Sequence, residues 1–187
     1  MNPWKIPTSL SVGGGEYSIR TDFRDVLAIL KYFASPDYEE DEKWMICMRI
    51  LYLDWRSIPP ECMNEAARQA TAFIDAGIKG DGKPKPTTMD WEHDAPIIIP
   101  AVNRVLNTEI RSAPYLHWWT FLAAYMEIGK SLFSSVLSTR QKLAKGKKLE
   151  KEEKEFLKEN KALILLPGQK KERPEEEKEA LRKLLGR

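Results

Sequence analysis

The sequence predicts a mainly α-helical protein: a single domain of five to seven helices with a small N-terminal β-hairpin and a charged C-terminal helix or tail. Apolar residues recur with a period near 3.6 from Phe23 onward, which indicates amphipathic helices. Three glycines near the N terminus separate two short segments in which apolar and polar residues alternate. The length of 187 residues and the 42% hydrophobic content are sufficient for one core.

The hairpin is predicted within residues 1–20, in the stretch "SLSVGGGEYSIR". Its apolar residues alternate with polar ones on both sides of the glycine run, as in two half-buried strands: Leu10, Val12, Tyr17 and Ile19. A phosphate-binding loop is the other role for such glycines. It is not predicted here because no Gly-Lys-Ser/Thr follows them.

Three helices are predicted next. Thr21 or Asp22 can cap the first, "TDFRDVLAILKYF", whose apolar residues share one face. The acidic stretch "SPDYEEDE" is expected to separate it from a second helix, "KWMICMRILYLDW", which is apolar nearly all round and therefore predicted to lie inside. The third follows the prolines at 59–60 and ends at Gly77. Cys47 and Cys62 fall in separate helices and are predicted to be buried free thiols.

The stretch "GIKGDGKPKPTT" predicts a loop, with a basic flap against an anionic partner as the alternative. A helix capped by Asp90 should follow, with these residues at helical spacing: Trp91, Ala95, Ile98, Val102 and Val105. Interior prolines remove a hydrogen bond, so we expect a break or kink near Pro96. Pro100 would then fall in about the first turn of the segment that follows.

The rest of the helical core, residues 21–145, comprises two more helices. In "SAPYLHWWTFLAAYMEIG" one face is predicted to carry Tyr115, Trp118, Trp119, Leu122 and Met126. The stretch "SLFSSVLSTRQKL" continues beyond Gly129 as a further helix. Residues 146–167 are predicted to hold a charged helix from Leu149 to about Leu165, and residues 168–187 a flexible or weakly helical tail.

Charge is unevenly distributed along the chain. Residues 1–138 carry 14 basic and 18 acidic side chains, a net charge of −4, whereas residues 139–187 carry 16 and 10, a net of +6. In the C-terminal part lysines alternate with glutamates, as on a solvated helix, so nucleic-acid binding is not favoured. The N terminus has no apolar h-region and no apolar run could span a bilayer, so we expect the protein in the cytoplasm.

Catalytic and metal sites are weakly supported. Asp90, Glu92, His93 and Asp94 fall within five residues, yet a metal site needs three or more ligands that converge, commonly from separate elements. A pair formed by either cysteine with either histidine is formally available, but Cys47 lies on a stripe predicted to be buried. We therefore expect no metal, no cofactor and no enzymatic activity.

The adjacent Trp118 and Trp119 follow His117, one of only two histidines. The indole rings could stack a ligand or anchor a partner, but aromatic residues at helical spacing more often pack in a core. Packing is favoured, with at least one indole largely buried and each N–H bonded to an acceptor. His117 then either satisfies an orphan backbone group at the helix start or reaches solvent.

Three stretches in this order, "TDFRDVL", "MDWEHDAPIII" and "YLHWWTFLAAY", precede an arginine in "STRQ" and a lysine–glutamate helix. Together they resemble the bacteriophage gene-product-fifteen family of tailed phages and prophages of Gram-positive bacteria, from about Tyr17 to Leu165. The positions that match its motifs, as core or as partner surface, are Asp22, Phe23, Arg24, Asp90, Trp91, Glu92, Asp94, His117, Trp118, Trp119 and Arg140. Two departures from the family pattern are Pro96 and Pro100, which interrupt a segment expected to be a continuous helix.

The resemblance implies a tail assembly chaperone that holds the tape-measure protein while tail-tube subunits polymerise, with the tail-tube protein as a further candidate partner. Such a protein would act in the cytoplasm of the bacterial host and be missing from the mature virion. The family brings no catalytic residues and no cofactor. The alternatives are a structural tail or neck/connector component and a nucleic-acid-binding regulator, the latter disfavoured by the acidic body.

Overall fold

A two-stranded hairpin followed by eight α-helices makes up the part of the chain that a computed structural model describes, residues 4–78 and 87–166. The predicted mainly α fold class is confirmed, with one more helix than expected. The strands are β1 (Ser9–Val12) and β2 (Gly15–Ser18). The helices are α1 (Phe23–Ala34), α2 (Glu40–Leu51), α3 (Met63–Ile74), α4 (Ala95–Leu106), α5 (Trp118–Met126), α6 (Leu132–Ala144), α7 (Lys151–Glu159) and α8 (Lys161–Ile164).

The glycine run forms the turn of the predicted hairpin. β1 and β2 pair antiparallel, with Val12 opposite Gly15. Gly13 and Gly14 have φ angles of +58° and +80°, which L residues with side chains adopt at a cost. A Cβ atom on Gly13 would also lie only 2.7 Å from the sulfur of Cys62 on the neighbouring segment. Glycine is therefore required here both by the turn and by the close approach to the start of α3.

Helix α2 begins earlier and ends earlier than predicted. It starts at Glu40, inside the acidic stretch expected to be a loop, because Glu39 and Glu42 form a capping box and acidic groups suit a helix N terminus. It ends at Leu51, before the predicted end at Trp55. The chain beyond Leu51 instead pairs with the extension of β2 through an isolated bridge between Ile19 and Tyr52. The chain therefore forms this backbone pairing after Leu51 instead of continuing the helix.

The expected break near Pro96 is present, immediately before that residue. Residues 91–93 form a turn, and α4 starts at Ala95, so Pro96 lies in the first turn where its missing amide costs nothing. Pro100 lies inside the helix, beyond the first turn, and α4 continues through it. Ile98 and Val102 are buried as predicted, whereas Val105, in the last turn of α4, is 39% exposed.

The inward face of α5 also differs from the prediction. Trp118, Phe121 and Ala124 are buried, whereas Met126 and Tyr115 are 57% and 54% exposed. The predicted face counted Tyr115 as helical, although it precedes the first helical residue, Trp118. The side of α5 that faces inward is set by its packing against α1 and α4, which the spacing of its own apolar residues does not specify.

The C-terminal charged helix is two helices rather than one. Asn160 lies between α7 and α8, and its side-chain amide donates to the carbonyl of Phe156 at 3.1 Å and so competes with the backbone ladder. α7 buries no residue, and this segment is anchored by Leu149 before it and Ile164 after it, 8% and 2% exposed. Residues 168–187, predicted to be a tail, and 79–86 of the predicted loop lie outside the described residues.

One cluster of buried side chains runs through the described chain, from Leu10 in the hairpin to Ile164 in α8. The segments predicted as 1–20, 21–145 and 146–167 therefore share a core. Cys47 is fully buried as predicted, but Cys62, on the edge of this cluster, is only half-buried. None of the described helices has the length and apolar content to cross a membrane.

Candidate functional site

The first and third sequence motifs, "TDFRDVL" and "YLHWWTFLAAY", meet where α1 and α5 begin. The backbones of Asp22 and His117 form an isolated antiparallel bridge. The amide of Phe23 donates to the carbonyl of Leu116 at 2.9 Å, and the amide of Trp118 donates to the carbonyl of Thr21 at 2.7 Å. Two stretches that are far apart in sequence thus start their helices side by side.

The charged side chains of Asp22 and Arg24 contact each other and the backbone within this junction. The Asp22 carboxylate caps α1 by accepting from the Arg24 amide at 3.0 Å, and it also accepts from the Leu116 amide at 3.0 Å. The Arg24 guanidinium contacts the same carboxylate at 3.0 Å and donates to the carbonyls of Ala113 and Ile110 at 2.7 and 3.0 Å. The pair therefore fixes the chain that leads into α5.

His117 is the N-cap of α5, the first of the two roles that its position predicted. Its Nδ1 atom accepts from the backbone N–H of Trp119 at 3.0 Å. Its Nε2 atom lies 3.0 Å from the carbonyl oxygen of Pro7, which can only accept, so Nε2 carries the proton. Burial lowers the pKa of His117, which favours this neutral form. Because both ring nitrogens are bonded within the fold, neither is available as a general base.

The two tryptophans fasten α5 to the end of α3. The indole N–H of Trp118 donates to the carbonyl of Ile74 at 2.8 Å, and that of Trp119 to the carbonyl of Phe73 at 2.8 Å. These carbonyls belong to the last turn of α3, where helix carbonyls lack intrahelical partners. Trp118 is 2% exposed, so the prediction that at least one indole is largely buried is confirmed, and Trp119 is half-buried.

The residues of "MDWEHD" make separate contacts and do not converge on one site. The carboxylate of Asp90 accepts from the amides of Glu92 and His93 at 2.9 and 2.7 Å and so caps the turn. Trp91 packs its ring against Tyr125, with centroids 5.1 Å apart. Glu92 is exposed and pairs with Lys31. Within residues 4–78 and 87–166, no group of three or more histidine, cysteine, aspartate or glutamate side chains could hold a metal ion.

Asp94 and Arg140 form a buried ion pair, with side chains 1% and 5% exposed. Two parallel hydrogen bonds of 2.7 Å join the carboxylate to the guanidinium. The guanidinium also donates to the carbonyls of Thr88 and Ile164, at 3.0 and 2.9 Å, and to that of Leu163. All five of its N–H groups are therefore bonded. The Arg140 side chain therefore connects α6 to the segment before α4 and to the end of α8.

An open cleft of about 400 Å³ lies between α6 and α7 and contains no motif residue. Its walls carry Ser134, Ser135, Ser138, Thr139, Glu152, Glu153 and Phe156. Several of these polar groups are already engaged. The hydroxyls of Ser134, Ser135 and Thr139 donate to carbonyls of the chain around α6, and Glu153 pairs with Lys142. This arrangement points to no particular chemistry.

The family whose model matches this sequence is described as Bacteriophage Gp15 protein, and the match covers residues 5–166. The chain belongs to this family. The resemblance predicted from about Tyr17 to Leu165 is thus confirmed, and the match also includes the N-terminal hairpin. Neither the curated proteins nor the solved structures contain a match to the chain.

In this Gp15-family protein most of the motif residues lie at three junctions between helices, whereas Glu92 is exposed and pairs with Lys31. One joins the starts of α1 and α5, the second joins α5 to α3, and the third joins the segment before α4 to α6 and α8. The sequence identified the side chains at these junctions but not their acceptors, which are mostly backbone carbonyls. Every residue has a carbonyl, so these partners leave no signal in the sequence.

Proposed function

We propose that this phage protein is a non-catalytic tail assembly chaperone. It binds the tape-measure protein in the cytoplasm of the bacterial host while tail-tube subunits assemble, and it leaves before the virion is complete. Membership of the Gp15 family supports a role in a phage. The engagement of both His117 nitrogens and all five Arg140 N–H groups supports a protein that works through its surface rather than through reactive motif groups.

The observation that carries the proposal is an apolar surface where α4 ends and α5 meets α6. Val105, Met126 and Leu132 are 39%, 57% and 45% exposed. The Arg104 guanidinium, adjacent to Val105, donates to the carbonyl of Lys130, which lies between the other two along the chain. Exposed apolar groups near helix ends suit the apolar stripe of a partner helix.

The apolar stripes expected of the tape-measure protein are complementary to this apolar surface. A long helical protein with apolar stripes needs those stripes covered until the tube encloses it. Burial of apolar area would supply the affinity, and the C-terminal region of residues 139–187, with a net charge of +6, would speed the encounter. The tail-tube protein is the second partner to test.

Co-expression with tape-measure fragments, followed by pull-down, tests the proposal. The full-length chain should bind at least one fragment and keep it soluble. Met126→Lys should weaken capture because it places a charge in the apolar surface. Leu143→Lys is the matched control, since Leu143 is a 42% exposed leucine near the other end of α6 and should tolerate the change. If the full-length chain neither binds nor solubilises any fragment, it is not a tape-measure chaperone.

Mass spectrometry of purified particles separates the chaperone from a structural tail or neck component. A chaperone should be absent from the particles, whereas stoichiometric copies would favour the structural alternative. Removal of residues 168–187 tests the role of the basic region separately. Capture should slow, most visibly at low salt, where charge steering is strongest. Unchanged capture by the truncated chain would remove only that role.

A further inference from the structure

Two exposed leucines flank the contact between α6 and α8, close to the point where the described part of the chain ends. Leu143 lies in the last turn of α6, three residues after Arg140, and is 42% exposed. Leu165 directly follows α8 and is 51% exposed. Arg140 donates to the carbonyl of Ile164, the residue before Leu165, at 2.9 Å. We call Leu143 and Leu165 the α6–α8 leucines.

A lysine-rich turn connects α6 to α7, directly beyond Leu143. Its exposed side chains, which form no ion pair within residues 4–78 and 87–166, are Lys145, Lys147 and Lys148. The neighbouring Lys142 and Glu153 pair with each other. Residues 142–153 carry five lysines and three glutamates, so the turn stays basic even when every acidic neighbour in the sequence is counted.

The sequence beyond the described residues predicts a short amphipathic helix. Pro174 suits the first turn of a helix, and Gly186 suits the position after the last turn. Four of the five residues 175–179 are glutamates, which the helix dipole favours near an N terminus. Its apolar residues at helical spacing are Leu181, Leu184 and Leu185. We call residues 174–186 the C-terminal segment.

A helix of this length needs a surface to cover its leucines. Isolated helices shorter than about 12–15 residues are marginal in water, and packing of the apolar face supplies most of their stability in proteins. The linker to the described part, residues 167–173, starts two residues after Leu165 and spans at most about 25 Å. So short a tether gives an effective concentration on the order of millimolar, which favours a contact within the chain over one between copies.

We propose that the C-terminal segment docks as a helix on the α6–α8 leucines, with its leucine edge over Leu143 and Leu165 and its glutamates toward the lysine-rich turn. The place where the segment leaves the described chain supports this occupant, because the linker begins beside the exposed leucines. Charge complementarity also supports it. Residues 175–179 carry four glutamates and one lysine, whereas the turn is basic.

This surface is separate from the one proposed for the tape-measure protein. Leu132 of that surface is the first residue of α6, whereas Leu143 lies in the last turn of the same helix. Release of the C-terminal segment leaves the surface around Met126 unaltered, so Leu143→Lys is still expected to capture tape-measure fragments. Failure of either proposal therefore leaves the other standing.

Hydrogen exchange of the full-length chain, followed by mass spectrometry, tests the docking. The reference is a synthetic peptide of residues 168–187, which has no body to dock on. Amides of residues 180–185 should exchange about tenfold more slowly in the full-length chain than in the peptide, because docking keeps them in helical hydrogen bonds.

Variants locate the docking surface. Leu143→Lys and Leu165→Lys should each return the exchange close to the peptide rate, since each places a charge under the leucine edge. Leu53→Lys is the matched control, because Leu53 is a 56% exposed leucine outside α6 and α8. Lys148→Glu should also speed the exchange, whereas Arg68→Glu, at an exposed position of α3, should leave it unaltered. Circular dichroism of these variants should match that of the unaltered chain, because the replaced side chains are exposed.

Three results would overturn the inference. The first is equal exchange of residues 180–185 in the full-length chain and in the peptide. The second is equal protection in Leu165→Lys and Leu53→Lys. The third is protection that is lost on dilution while light scattering shows dimers, which would make a second copy of the chain the partner of the C-terminal segment.

Discussion

Replacing Arg140 with methionine should be among the most damaging single changes in this protein. Methionine has a similar length but no donor, so the change leaves the Asp94 carboxylate, 1% exposed, without its counter-charge. It also removes the donors to the carbonyls of Thr88, Leu163 and Ile164. Breaking a buried ion pair from one side typically costs about 3–5 kcal/mol. That loss is a large fraction of the roughly 5–15 kcal/mol by which a domain is stable.

The measurement is the free energy of unfolding in urea, followed by tryptophan fluorescence and circular dichroism. Asp94→Asn removes the charge of the partner but keeps an acceptor for the Asp90 amide, which lies 3.0 Å from Asp94 Oδ2. In the double variant neither charge is left alone in the interior. It should therefore lose less stability than the two single changes added together, by about 1–3 kcal/mol.

The Lys31–Glu92 pair provides the control, because both of its side chains are about half exposed, at 54% and 53%. Lys31→Met should cost about 1 kcal/mol or less, since exposed ion pairs contribute little. Hydrogen exchange should also show faster exchange of α8 amides in Arg140→Met, because the anchor of that helix is gone. An Arg140→Met chain as stable as Lys31→Met, with α8 exchange unchanged, would refute the assigned role of the pair.

Three further predictions concern buried side chains. Trp118→Ala should cost about 3–5 kcal/mol in urea unfolding and the half-buried Trp119→Ala less; if both variants melt like the unaltered chain, the pair is a contact surface and not packing. Because burial lowers the pKa of His117 below its usual 6.5, the stability that neutral His117 supplies is present above pH 6.5 and is lost as pH falls through the lower folded value. His117→Asn keeps a capping acceptor and should lose less stability than the unaltered chain between pH 7.5 and 5.5; equal losses would contradict this. Burial raises the pKa of the Cys47 thiol to about 12, so iodoacetamide should modify the half-buried Cys62 first in the native protein, and faster labelling of Cys47 would show that its site opens.

Local chemistry explains why most of the elements could be predicted. The φ angles of +58° and +80° at Gly13 and Gly14 belong to a tight turn that glycines favour wherever they separate alternating segments. Asp22 caps α1, as expected of an aspartate before an amphipathic stretch. Such signals act within a few residues, so they survive in the sequence without knowledge of the rest of the chain.

The errors occurred where an element depends on distant residues. α2 ends at Leu51 because the backbone after Leu51 forms hydrogen bonds with the chain that extends β2 beyond Ser18. Nothing within the sequence of the helix indicates this pairing. The buried face of α5 was misjudged because packing against α1 and α4 selects the side of this apolar helix that faces inward. Periodicity alone indicates that a helix exists, but for a helix that is apolar on most sides the neighbouring elements decide which side is buried.

By itself the sequence determined the fold class, the family and the side chains of its motifs, because periodicity, turn residues and motif spacing are written in residue order. Only the tertiary structure decided which groups those side chains meet: Asp94 with Arg140, and the indoles of Trp118 and Trp119 with carbonyls of α3. The physical reason is that a side chain's identity states what it can donate or accept. Its partner is whatever group the folded backbone brings within about 3 Å.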